Sequence, residues 1–288
     1  MKFFDPHIHC FSRTTDDYER MALSGIRIVC EPAFWLGQPR TSVGTFIDYF
    51  ETLIGWERFR ASQYGIKHVC VLCLNSKEAN DPRCVPVLDI LPEYLDKDGV
   101  MGVGEIGYDD MTQAEHDAFI RQLELAAERE CIVIVHTPHR DKKEGVQKSI
   151  DAVKEVGIAE HLVVIDHNTE ETVQMVKDQS ECWAGHTMYP QTKMSVERAV
   201  KIVERYGTEK MLFNSSADWG QSDPLNVPKL AFELRKRGHE QEDIEQLLWH
   251  NPVAFMAQSG KLDISQLDEA DGGVNPYALY EGNTILRN

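Results

Sequence analysis

Apolar runs alternate with amphipathic, charged stretches along almost the whole chain, and the alternation predicts a strand followed by a helix eight times over. The predicted strands are Lys2–Cys10, Ile26–Phe34, Lys67–Leu74, Val100–Ile106, Cys131–His136, His161–His167, Glu181–His186 and Lys210–Ser215. Helical periodicity fills the intervals at Asp16–Ser24, Gly44–Tyr64, Val85–Leu95, Glu115–Glu130, Lys143–Val156, Glu170–Lys177 and Ser195–Tyr206. Val227–Arg237, Glu240–Trp249 and Pro252–Gln258 follow the last strand. Gly65 stands where a C-capping glycine belongs, and Thr112–Glu115 reads as a capping box opening the fourth helix. Within that helix Phe119, Leu123, Ala126 and Ala127 share one face.

Near-continuous apolar strands such as CIVIVH at Cys131–His136 belong to parallel sheets buried on both faces. Eight such units predict an α/β fold of (β/α)8 TIM-barrel type. An open doubly wound sheet would carry a Gly-rich phosphate turn after the first strand, and this chain has none there. The barrel is expected to occupy residues 1–259. Gly260–Asn288, polar and rich in Asp, Gly and Asn, is expected to form a C-terminal extension that packs on the barrel or is partly disordered.

The predicted strand ends collect the chemistry. His7 and His9 are two apart, so their rings point to one side of the chain. Glu105 sits among the glycines of VMGVGEIGYD, and His136 and His167 each terminate an apolar run. Asp218 follows the last strand. Four histidines and two carboxylates at the end of a barrel where active sites gather suggest a two-metal centre in a metal-dependent hydrolase. Asp5 is a candidate partner behind the ligands. Glu31 is either a ligand of the rim or an ion-pair partner, and Trp35 and Tyr189 are candidate pocket walls.

Composition narrows the partners. A formal charge of −17 excludes a general nucleic-acid-binding surface, which needs clustered Lys and Arg, although a metal could still hold a short oligonucleotide end. Seven scattered cysteines form no disulfide framework. Cys70 and Cys73, although spaced CxxC, lie within an apolar strand and read as buried thiols. With no run of signal or membrane length, a cytoplasmic location without membrane contact is expected. Nothing in the chain specifies an oligomeric state.

Taken together, DPHIH at Asp5–His9, GEIGYD at Gly104–Asp109, QLELAAERECIVIVH at Gln122–His136, the strand ending in His167, SAD at Ser216–Asp218 and HNPVAF at His250–Phe255 resemble the TatD family of metal-dependent hydrolases. That family lies within the amidohydrolase superfamily of TIM barrels. The resemblance implies that His7, His9, Glu105 and Asp218 hold one ion, and that Glu105, His136 and His167 hold a second. Zinc is the first choice, with Mn2+, Mg2+, Fe2+, Ni2+ or Co2+ as alternatives. Such a pair of ions lowers the pKa of a water molecule, and Asp218 is the candidate general base or proton shuttle beside Glu105.

Departures from the family pattern concentrate where substrate would be gripped. Trp219–Gly220–Gln221 follows Asp218 where a proline is usual, and Pro138 takes the place of an arginine. The segment GHTMYPQTK at Gly185–Lys193 is closer to an archaeal-type branch of unassigned hydrolases. His139, Arg140, His186 and Lys193 are the candidate contacts to an anionic substrate. The favoured activity is phosphoester hydrolysis, extending to deoxyribonuclease-like action on a short DNA end. Hydrolysis of an amide, lactone or carboxylic ester and a non-catalytic metal-holding scaffold are the alternatives.

Overall fold

The computed structural model describes residues 1–37 and 39–267. Its eight strands are β1 (Phe3–Asp5), β2 (Ile26–Pro32), β3 (Lys67–Leu72), β4 (Val100–Gly107), β5 (Ile132–His136), β6 (Val163–Ile165), β7 (Trp183–Thr187) and β8 (Met211–Asn214). They lie side by side in chain order, every neighbouring pair parallel. Backbone just past the strand ends joins the last to the first: Ser216 N donates to His7 O at 2.7 Å and His9 N to Ala217 O at 3.0 Å. This is the expected (β/α)8 barrel.

Period-two alternation divides the strand side chains between two cores. Phe4, Ile28, Cys30, Val69, Val71, Ile132, Ile134 and Leu212 point into the barrel, whose floor is plugged by Phe255 and Met256 from the helix Asn251–Ala257. Their neighbours Phe3, Val29, Cys70, Leu72, Val103 and Val133 face the surrounding helices. Each fully buried Phe, Ile or Leu contributes about 1.5–3 kcal/mol relative to exposure, so the two layers fix the register of every strand.

Several predicted elements are trimmed. β1 ends at Asp5, because Pro6 has no N–H to donate to a ladder, and the HxH pair lies beyond the strand. β6 covers only Val163–Ile165; His161 sits in a preceding 3-10 turn, and His167 lies past the strand with φ +62°. The long second helix contains a wide turn at Thr52–Glu57 that carries both Leu53 and Glu57 to the buried face. Thr112 caps its helix as predicted, accepting from Glu115 N at 3.2 Å. The Glu115 carboxylate does not close a capping box; it accepts from the amides of Asp109, Asp110 and Met111 and pins the loop after β4.

Leu262 and Leu267 of the predicted C-terminal extension pack on the barrel floor, and residues 268–288 lie outside the described residues. Among the described residues no helix is long and apolar enough to cross a membrane.

Candidate metal centre

Five of the predicted ligands meet at the C-terminal end of the barrel. Glu105 is central to them. Its Oε1 lies 2.7 Å from His167 Nε2, 3.0 Å from His136 Nδ1 and 3.6 Å from His7 Nε2. His7 Nε2 in turn lies 3.2 Å from His9 Nε2, and His136 Nδ1 lies 3.1 Å from His167 Nε2. The side chains form two triads with a common carboxylate, His7–His9–Glu105 and Glu105–His136–His167. All five residues are buried, none more than 8% exposed.

Close packing of β4 on β5 places Glu105. Gly107 has φ +133°, and a Cβ there would come within 2.3 Å of His136 O. Only glycine lets the two strands approach this closely, which is the local reason for the GEIG spacing.

The sequence reading missed Asp166. It follows β6 as the residue before His167, and its carboxylate takes His7 Nδ1 at 2.6 Å, Asn214 Nδ2 at 3.0 Å and the His167 amide at 2.7 Å. Burial would raise the Asp166 carboxyl, but His167 and His7 hold it far below the ordinary carboxylate range. An ionised Asp166 fixes the proton of His7 on Nδ1 and leaves the Nε2 lone pair facing Glu105. An acidic residue inside the apolar run HLVVIDH was the available signal. Gly185 makes room for it, since a Cβ there would meet Asp166 Oδ1 at 2.5 Å. Asp5, the partner expected behind the ligands, instead accepts the backbone amides of His7 and Ser215 at 3.3 and 3.2 Å.

The donor chemistry fits divalent cations. Burial, reinforced by His7, pushes His9 well below the usual imidazole range, and burial with the Lys193 charge does the same to His167. Neutral rings offer lone pairs. For Glu105 burial works upward, yet His7 and His136 outweigh it and keep the carboxylate ionised. Among the described residues His9 Nδ1 and His136 Nε2 are buried without a hydrogen-bond partner, with Asp109 Oδ1 at 3.8 Å from the latter. Imidazole and carboxylate donors in this number suit borderline first-row ions.

Most of the remaining candidates line a cleft of about 410 Å³ above Glu105. Asp218 lines it but stands outside both triads, its Oδ1 accepting from Tyr189 Oη at 2.8 Å and Gly220 N at 2.7 Å. His139 and Lys193 also line it, with Lys193 Nζ 3.1 Å from His167 Nδ1. Trp35 and Tyr189 are walls, as expected, joined by Phe34 and the exposed Trp219. Phe34 stacks on His9 at 3.6 Å between ring centroids, and Trp219 on Phe34 at 5.5 Å.

Two expected substrate contacts lie elsewhere. Arg140 is exposed and pairs with Asp110 at 2.9 Å, off the cleft lining. His186 is fully buried and stacks on Phe213 at 4.8 Å, because its strand neighbour Thr187 takes the inward position and bonds His167 Nδ1 at 2.6 Å. His186 is a packing residue on the helix side of β7, which corrects its assignment to substrate. Glu31 is likewise no rim ligand: it is buried, takes the Phe11 amide at 2.8 Å, and lies 2.8 Å from His68 Nε2.

Comparison with known proteins agrees with this geometry. A model of the TatD-related DNase family matches residues 4–256. The chain belongs to that family. A TatD-type assignment places it among metal-dependent hydrolases. It is 29% identical over 255 residues to an uncharacterized metal-dependent hydrolase of Methanocaldococcus jannaschii, covering 87% of this chain and 98% of that protein. The crystal structure of a TatD-like protein from Archaeoglobus fulgidus superposes with a TM-score of 0.71 at 27% identity, over 88% of this chain and 99% of the other. A lactonase from Listeria monocytogenes shares the fold alone, with a TM-score of 0.61 at 13% identity over 88% of this chain and 94% of its own.

Proposed function

We propose that this TatD-type protein is a binuclear metal-dependent phosphoesterase acting on a small anionic ester. The observation that carries this reading is Lys193. Its ammonium sits against the His167 ring beside the shared Glu105 and has no carboxylate hydrogen-bonded to it among the described residues. A positive charge at the ligand cluster fits a substrate that brings negative charge of its own.

His7, His9, Glu105, His136 and His167 would hold the ions, zinc first among the candidates, with Asp218 supplementing the set from the cleft wall. When bound, the ions supply Lewis acidity and lower the pKa of water. The protein's own residues do the rest. Lys193 orients a phosphoryl oxygen through a charge-assisted hydrogen bond. Asp218, aimed by the Tyr189 hydroxyl and the Gly220 amide, accepts a proton and passes it on. Phe34, Trp35 and Trp219 give the cleft an apolar side that shields these charges from water.

The test is a comparison of bis-p-nitrophenyl phosphate with p-nitrophenyl acetate and a lactone, on protein reconstituted with Zn2+ or Mn2+. Phosphoester turnover that exceeds the carboxylic esters, and that falls in Lys193→Met, supports the reading. Faster hydrolysis of the acetate or lactone would replace it with the carboxylic-ester alternative. No turnover of any ester at full metal content would leave the scaffold reading.

A further inference from the structure

A second cavity, of about 400 Å³, adjoins the ligand cleft and is lined in part by Lys193 and His167. His139, Thr192 and Lys193 line both spaces, so the two share a wall. Lys142, Arg198 and the neighbouring Glu170 and Glu171 complete the charged lining of the second one.

The charges there do not cancel. Arg198 is used up by Glu170, which it grips through Nε and Nη2 at 2.8 and 2.6 Å. Glu171 is exposed at the rim. Among the described residues Lys142 Nζ donates only to Thr137, to its carbonyl at 3.1 Å and its hydroxyl at 3.0 Å. Lys193 Nζ hydrogen-bonds only to the His167 ring among the described residues. Two partly buried amines therefore face one cavity, and among the described residues neither is hydrogen-bonded to a carboxylate, although Glu105 and Asp166 act on both through space. Holding such groups out of water costs free energy that an opposite charge would offset. Burial and the nearby Lys193 push Lys142 down to about 7 against the opposing pull of Asp166 and Glu105, none of whose oxygens it bonds.

We propose that this second cavity is a phosphate-binding subsite, with Lys142 as its anchor and Lys193 bridging it to the ligand cleft. Its occupant is a second phosphate group of the substrate, so the preferred substrate is an ester carrying two phosphates, one cleaved and one gripped. Naming the occupant as part of the substrate rests on the phosphoesterase reading; the anion site itself does not.

The first measurement is calorimetric titration of inorganic phosphate into chelator-treated, full-length protein. Metal-free wild type binds phosphate. Lys142→Met weakens that binding by about tenfold or more, as expected for a lost charge-assisted hydrogen bond, while Lys142→Arg and Glu105→Ala retain it. Circular dichroism and thermal melting report whether each variant is folded, and Lys142→Arg keeps the question open to refutation if Lys142→Met is not. No binding to the metal-free wild type, or equal binding by a folded Lys142→Met, overturns the subsite.

The second measurement compares kcat/KM of the reconstituted enzyme for an aryl monophosphate and an aryl bisphosphate. The wild type prefers the bisphosphate by about tenfold or more, and the preference collapses in Lys142→Met. Equal rates on the two esters in wild type overturn the substrate assignment. Turnover of neither, with metal-free phosphate binding intact, sinks the phosphoesterase reading and leaves the anion site standing.

Discussion

His7 Nδ1 and Asp166 Oδ2 lie 2.6 Å apart, joining the loop after β1 to the loop after β6 across the mouth of the barrel. The contact sets the tautomer of a candidate ligand, which the sequence around His7 could not specify. Replacing Asp166 by Asn removes the charge that holds the proton on Nδ1. Metal affinity is expected to fall about 10–100-fold, the usual effect of losing a carboxylate behind a ligating histidine. Chelator competition against Zn2+ measures it, and an unchanged affinity would return Asp166 to a packing role.

Glu105 Oε1 is within 3.6 Å of three imidazoles, so one substitution reaches both triads. In Glu105→Ala metal content by elemental analysis should drop from about two ions per chain toward none, while the far-ultraviolet circular dichroism stays that of the wild type. Full occupancy in the variant would show that the carboxylate is not shared between two ions.

Asp218 depends on Tyr189, whose hydroxyl donates to it at 2.8 Å. Asp218→Asn keeps the shape and removes the proton acceptor, so turnover should fall about 10²–10⁴-fold. Tyr189→Phe leaves the carboxylate without its orienting hydroxyl and should cost a smaller factor, about tenfold. Steady-state kinetics with metal content held equal separates these effects; wild-type rates in Asp218→Asn would make it a turn residue only.

Burial raises Glu31 to about 8 and lowers His68 to about 4, so at neutral pH the two form an uncharged pair. The unfolded carboxyl titrates near 4.5. Its contribution to stability is therefore complete below that pH and is lost as pH rises through 8. Glu31→Gln mimics the protonated acid and should flatten the fall in melting temperature between pH 6 and pH 9. A fall as steep as that of the wild type would mean that Glu31 is ionised in the folded protein.

Much of the barrel was legible because alternation and apolar runs report directly on burial. Five candidate ligands were legible for a related reason: a histidine or glutamate closing an apolar run is expected near the end of a strand, and in a parallel barrel those ends converge. Asp166 was hidden by the same logic, since an aspartate in HLVVIDH looks like an interruption of a strand until Asn214 and His7 are brought against it. His186 was misplaced because strand ends carry two faces. A shift of one residue exchanges the cleft for the helix layer, and only the register of β7 puts Thr187 inward.

The amino-acid sequence by itself determined the barrel, the order of its strands and the five clustered candidate ligands, because period, glycine spacing and donor type are local properties of the chain. Tertiary structure alone decided that Asp166 backs His7, that Asp218 turns to Tyr189, and that Lys193 stands between two cavities. Each of these is a contact between strand ends far apart in sequence. Such pairings are set by closure of the sheet, which no local pattern encodes.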